Sequence, residues 1–144
     1  MREILFRGKT DKGEWVQGDL TQFCIDEEIT SKISFHITRA TLNGLRTVTY
    51  TNEVIPETIG QYTGLTDKNG KKIFECDILE FNYTGNSKGV EGKAVVVFEN
   101  GKFGVKWGWH KEFVALDGFA NTTLTVIGNI HDNPELLKEL GNNG

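Results

Sequence analysis

The chain has 144 residues, 38% hydrophobic and 25% charged, with a formal net charge of −4. That length suits one ordinary domain or two very small ones, and the composition is that of a soluble globular protein. The charge is shared evenly, about −2 in residues 1–60 and about −2 in residues 61–144. There is therefore no basic domain for non-specific nucleic-acid binding and no polybasic patch for a membrane. Met1-Arg-Glu-Ile-Leu-Phe-Arg7 lacks the apolar core of a signal peptide, and no run of about 18 apolar residues exists to span a membrane. Cys24 and Cys76 belong to no CxxC or Cys/His cluster. They read as reduced thiols of a cytoplasmic protein rather than as a disulfide.

In chain order, residues 2–7 read as an opening strand, 8–13 as a turn and 14–23 as a second strand with Trp15 inward. Cys24 to Ser31, with Asp26-Glu27-Glu28, reads as a solvated acidic loop. Ile33, Phe35 and Ile37 alternate with Ser34, His36 and Thr38, the period of a half-buried strand. Leu42-Asn-Gly-Leu45 is a hairpin turn, because Asn-Gly readily takes the positive φ a tight turn needs, and 46–50 returns as the partner strand. Val54 to Tyr62 bridges two halves. Residues 73–83 form a long strand and 84–92 a polar loop. Residues 93–99 and 102–109 form a hairpin about Asn100-Gly101, and 112–116 and 124–130 complete the strands. The only helical signal is terminal: Asn133 as cap, Pro134 at the first position, and an apolar stripe of Leu136, Leu137 and Leu140 stopped by Gly141.

A repeat organises these elements. Phe6 to Phe23 aligns on Gln61 to Phe81 with two single-residue gaps. Gly8 then pairs with Gly64, Asp11 with Asp67, Gly13 with Gly70, Gly18 with Cys76, and Asp19 with Asp77. Thr58-Ile-Gly-Gln-Tyr62 has an echo in Val126-Ile-Gly128-Asn-Ile130. The reading is a mainly β protein of two related small SH3-like barrel units, residues 1–60 and 61–130, and a short C-terminal helix and tail at 131–144.

Chemistry is sparse. Asp19 and Asp77 read either as paired carboxylates for acid–base work or as acceptors of backbone N–H groups at tight turns; the second explains why the position repeats. Asp67-Lys-Asn-Gly70 fails as a calcium loop, lacking the bidentate glutamate, and reads as a hairpin turn. His36, His110 and His131 have no metal-ligand spacing. No nucleophile, phosphate or cofactor motif is present, so no catalytic residue, cofactor or metal is assigned. One stretch interleaves basic and aromatic residues, Gly101 to Phe113. There Lys102, Lys106, Trp109, His110 and Lys111 offer a surface for a nucleic acid or another partner. The strand period puts Phe103, Val105, Trp107 and Trp109 on the face opposite Lys102, Lys106 and His110, which is how core aromatics are arranged.

Arg2-Glu-Ile-Leu-Phe-Arg7, the core Gln61 to Leu79 and the ending Val126-Ile-Gly-Asn-Ile-His-Asp-Asn-Pro-Glu-Leu-Leu137 resemble the YopX family of phage and prophage proteins. The resemblance runs from end to end but is silent over residues 24–53 and 82–123. It departs from the family at Cys76, where glycine is usual before the aspartate. It implies a phage or prophage gene of a Gram-positive bacterium, a mostly β fold and action in the host cytoplasm. It carries no functional residue. The expected protein is a non-catalytic binding or assembly module, its partners a second copy or a phage or host protein. The alternative is nucleic-acid binding through residues 102–113; no membrane is involved.

Overall fold

Short runs with a two-residue apolar period, punctuated by Gly, Asn and Asp, satisfy their backbone groups by pairing with neighbouring strands. The computed structural model describes residues 3–83, 90–107, 112–116 and 122–137 and shows a mainly β chain. The chain divides into two units, Met1–Tyr62 and Thr63–Gly144.

The first unit contains β1 (Phe6–Lys9), β2 (Trp15–Ile25), β3 (Glu28–Thr41), β4 (Gly44–Glu53), a 3-10 turn at Pro56–Thr58 and the start of β5 (Gly60–Thr66). Its strand order is β4-β3-β2-β1-β5, antiparallel throughout. Strand β5 runs on past Tyr62, and in the second unit it neighbours β6 (Lys72–Phe74). The rest of that unit is β7 (Asp77–Tyr83), β8 (Val90–Glu99), β9 (Lys102–Trp107), β10 (Glu112–Ala115) and β11 (Thr122–Asn129), ordered β10-β9-β8-β7-β11. These sheets are open. Strand β4 pairs with β3 alone, and β10 and β11 stand at opposite edges of their sheet, so the expected closed SH3-like barrels do not form among the described residues.

Each unit has its own interior. In the first, Ile33 and Val54 are buried, and β1 approaches so closely at Gly8 that a Cβ there would lie 3.0 Å from the Val54 Cβ. In the second, Ile73, Leu79, Phe81, Ala94, Val96, Val105 and Leu116 form one cluster. Burial of each large member contributes about 1.5–3 kcal/mol, which makes this the larger stabilising mass. No helix among the described residues is long and apolar enough to cross a membrane. Neither cysteine is in a disulfide.

Several local expectations change. Residues 24–31 are strand rather than loop: β2 and β3 continue to the Ile25–Glu28 pair, joined by Asp26 (φ 49°) and Glu27 (φ 68°). Two successive positive φ values match the twist of a right-handed hairpin, so two non-glycine residues suffice to close it. Trp15 is half-buried, with the Arg7 guanidinium 4.8 Å and the Lys9 ammonium 5.6 Å from its ring centre. At the C-terminus Asn133 Oδ1 accepts from Asn129 N at 3.2 Å instead of capping the following helix. Asn129 Oδ1 in turn accepts from His131 N and Asp132 N. The Gly-Asn-Ile-His-Asp-Asn motif is thus a self-bonded turn. A Cβ at Gly128 would overlap the Asn133 carboxamide and displace it from Asn129 N. Helical geometry is described for residues 135–137 only; Leu140 and Gly141 lie outside the described residues.

The predicted strand 73–83 is broken by a tight turn, Phe74-Glu75-Cys76-Asp77, with Cys76 at φ 70°. Its N–H donates to Val96 O at 2.9 Å and its carbonyl accepts from Ile130 N at 3.0 Å, so the conformation is pinned from both sides. A side chain at positive φ costs about 1–2 kcal/mol, partly offset by the stiffer unfolded chain. Cys76→Gly is therefore expected to stabilise the protein by about 0.5–1 kcal/mol in urea unfolding, with Cys76→Ala giving no gain. Equal stability of the two variants would remove strain as the reason.

Candidate functional site

Strand β3 is covered by β2 only from Glu28 to Ser34, whereas its pairing with β4 continues from Lys32 to Thr41. Residues 35–41 and 44–50 therefore pair only with one another among the described residues. They form a two-stranded arm extending seven residues beyond the sheet, about 23 Å at about 3.3 Å per residue. The loop is Leu42-Asn43, and the positive φ falls on Gly44 (φ 114°) instead of on Asn43. Thr41 Oγ1 ties it by donating to Gly44 O at 2.7 Å and accepting from Asn43 N at 3.3 Å. At the tip Leu42 is fully exposed and Leu45 is 79% exposed.

An isolated two-stranded ribbon is marginal in water. This one is held by cross-strand side-chain pairs, each contributing roughly 0.2–1 kcal/mol. On one face a ladder of hydroxyls runs Ser34–Thr51, His36–Thr49 and Thr38–Thr47, each pair 2.8 Å apart. His36 Nε2 also reaches Asp19 Oδ2 at 3.2 Å, so the ladder is anchored to β2 at its base. On the other face the Phe35 and Tyr50 rings stack with centres 5.0 Å apart at 17°. Beyond them Ile37, Arg39, Arg46, Val48 and Tyr50 border a shallow hollow of about 240 Å³.

Arg39 and Arg46 are direct cross-strand partners. Neither takes part in an ion pair among the described residues. Like charges directly opposite destabilise a sheet by up to about 1 kcal/mol. From Ile29 to Asn52 the sequence contains no Asp or Glu and carries Lys32, Arg39 and Arg46, so this segment is +3 in a protein of −4. Twenty acidic residues in 144 would place about three in a stretch of that length. That gap was the available sequence signal for this element, and a charge count taken by halves conceals it.

The expected site residues lie elsewhere. Lys102 and Lys106 are on β9, which is paired on both sides by β8 and β10. Lys106 Nζ is ion-paired with Glu99, and Lys102 Nζ sits 5.9 Å above the Phe113 ring. Val105 is in the core with Phe103 packed against it, on the face opposite these lysines. Trp109, His110 and Lys111 lie outside the described residues. The structure does not bring Lys102 and Lys106 together as a free basic pair.

The repeated aspartates do different things. Asp77 is buried, and its Oδ2 accepts from Phe74 N at 2.8 Å, a turn-closing role. Asp19 is 70% exposed and bonds to His36 rather than to a turn. Asp67 Oδ1 accepts from Asn69 N and Lys71 N, both at 2.9 Å, and Oδ2 accepts from Val126 N at 3.0 Å. Burial pushes its carboxyl up, but the bonds from Val126, Lys71 and Asn69 and the Lys71 charge outweigh this and hold its pKa below the ordinary value. The structural counterpart of Asp67 is Thr10. Thr10 N donates to Glu14 O and Gly13 N to Thr10 O, as Asp67 N donates to Lys71 O and Gly70 N to Asp67 O. Thr10 Oγ1 accepts from Glu14 N as Asp67 Oδ1 does from Lys71 N. Asp11 is merely exposed. Gly13, Gly64 and Gly70 all have φ between 80° and 90°. Among the described residues, no group of three or more His, Cys, Asp or Glu is placed to hold a metal ion.

Comparison with known proteins bears on the fold. Protein EF1440 from Enterococcus faecalis is similar at 24% identity and a TM-score of 0.57, over 95% of this chain and 99% of that one. Protein yopX from Bacillus subtilis is similar at 17% identity and a TM-score of 0.51, over 94% of this chain and 98% of that one. No curated protein matches the chain. The YopX protein family model matches residues 5–138, nearly the whole length. The chain belongs to the YopX protein family.

Proposed function

We propose that this protein is a non-catalytic binding module, a phage or prophage accessory protein of the host cytoplasm, and that the β3–β4 arm is its contact element. One observation carries the reading: a two-stranded ribbon whose two strands pair, among the described residues, only with each other, with Leu42, Leu45, Val48 and Tyr50 exposed along it. Such a segment adds little to the stability of the sheet that bears it. Its unpaired edges and large side chains are suited to a partner, and strand addition by a second copy or by another phage or host protein is the simplest protein contact they allow.

The test is a variant in which Asn-Gly replaces residues 37–48, keeping the His36–Thr49 pair. The reading predicts a folded protein whose Tm falls by less than about 3 °C, equivalent to about 1 kcal/mol at this size. Any self-association seen by light scattering of the full chain would be lost with the arm. An unfolded variant would make the arm part of the fold and remove it as a contact element.

A further inference from the structure

The arm's arginine face restricts what it can bind. Arg39 and Arg46 oppose each other across the ribbon with no carboxylate on the arm to separate their charges. A like-charged pair kept on an otherwise apolar and hydroxylic ribbon is relieved when an anion sits between the two guanidiniums, and guanidinium forks bind phosphate oxygens in pairs. The rest of the chain is net negative, so the arm is a local positive projection on an acidic body. Shape adds a second restriction. A two-stranded β-ribbon enters the major groove of B-form DNA, roughly 12 Å wide and about 8.5 Å deep, and an arm of about 23 Å is long enough to reach its floor. The deep, narrow major groove of A-form RNA excludes it. The stacked Phe35 and Tyr50 already cover one another's faces, which disfavours the open stacking platform that single strands need.

Resting on the reading of the arm as the contact element, we propose that its partner is duplex DNA. The ribbon lies in the major groove, Arg39 and Arg46 meet backbone phosphates, and the exposed Thr38 and Thr47 stand on the opposite face. The mode is backbone-led, with affinity set largely by two arginines, so binding is weak and its salt dependence modest, a fall of roughly sevenfold between about 50 and 150 mM salt.

The experiment titrates a fluorescently labelled 20-base-pair DNA duplex with the full chain at about 50 and 150 mM salt, following anisotropy. Arms with duplex RNA and single-stranded DNA of the same sequence run beside it. Arg39→Glu/Arg46→Glu is expected to weaken duplex binding at least tenfold at low salt and to lower the log–log salt slope by about 2, while its circular dichroism and Tm stay unchanged. Arg39→Lys/Arg46→Lys should keep most of the slope, since both charges remain. Equal binding by the Glu variant, a preference for RNA or single strands, or no binding at low salt would each overturn the DNA proposal. The fate of the underlying reading is separate. If DNA fails while the Asn-Gly arm replacement stays folded, the arm remains a contact element for a protein; if the replacement unfolds, both fall.

Discussion

Replacing Gly18 with alanine is expected to destabilise the first unit by about 3–4 kcal/mol, at or above the upper end of ordinary overpacking costs. Gly18 sits in β2 where the strand changes partners: Gly18 is the last residue paired with β1, and Asp19 is the first paired with β3. A Cβ at this point would overlap the Ser34 carbonyl and come within 3.2 Å of Phe35 N. Those atoms are backbone, so no side-chain rotation relieves the clash. The Asp19–Ser34 pair must open instead, and Ser34 is where the arm leaves the sheet. Urea unfolding with amide exchange read at Thr21, Phe23 and Ile33 should show lost protection there. The second-unit amides of Leu79 and Val96 should keep theirs. A loss below about 1 kcal/mol would mean that β2 bends freely at this position, contrary to the close approach seen.

The second large effect concerns Asp67. Removing its carboxylate in Asp67→Ala strands three N–H groups, those of Asn69, Lys71 and Val126. Bonds to a charged acceptor contribute about 1.5–3 kcal/mol each but are not additive within one cluster, so a total near 3 kcal/mol is expected. Val126 is 59 residues away in sequence, which makes Asp67 a tie between the β5–β6 turn and β11 as well as a turn former. The pH dependence follows from the lowered carboxyl. A depressed folded-state pKa gives stability that is fully present above the unfolded value near 4 and disappears as pH falls through the folded value. Asp67→Asn should therefore trail the wild type by a constant amount from pH 5 to 8, and the gap should shrink below about pH 4. A gap that persists unchanged to pH 2 would contradict the role of the charge.

The sequence disclosed the strands and most turns because their determinants are local. Asn100 and Gly101 take φ values of 52° and 80°, as a two-residue hairpin of that sequence must, and Ile33 is buried on the face its alternation assigns. The repeat was also visible, but its register misled. Matching Asp11 to Asp67 maximises identity, whereas hydrogen bonding matches Thr10 to Asp67, because a hydroxyl and a carboxylate can accept the same N–H. Gly18 and Cys76 align as well, and both have positive φ, 158° and 70°, but Gly18 also faces backbone atoms that a Cβ would overlap. A single residue type cannot reveal which requirement holds.

Closure into barrels and the arm were not legible for a shared reason. Whether a strand acquires a second neighbour depends on where β2 leaves β3, a long-range register that no window of residues encodes. Strand β3 reads alike over its covered and uncovered halves, because the stretch without carboxylates runs from Ile29 through both. The basic and aromatic stretch near residue 106 drew attention by composition, but pairing to Glu99 shows how a lysine's neighbours across the sheet decide its availability.

The most direct measurement is native-state amide hydrogen exchange along residues 35–50 of the free chain. An arm that pairs only with itself opens without disturbing either core, so its amides should exchange far faster than those of Ile33, Leu79 and Val96, and slow when the partner is added. Protection of the arm amides equal to that of the core in the free, monomeric chain would mean that the arm is already covered within the protein, and would contradict its assignment as the contact element.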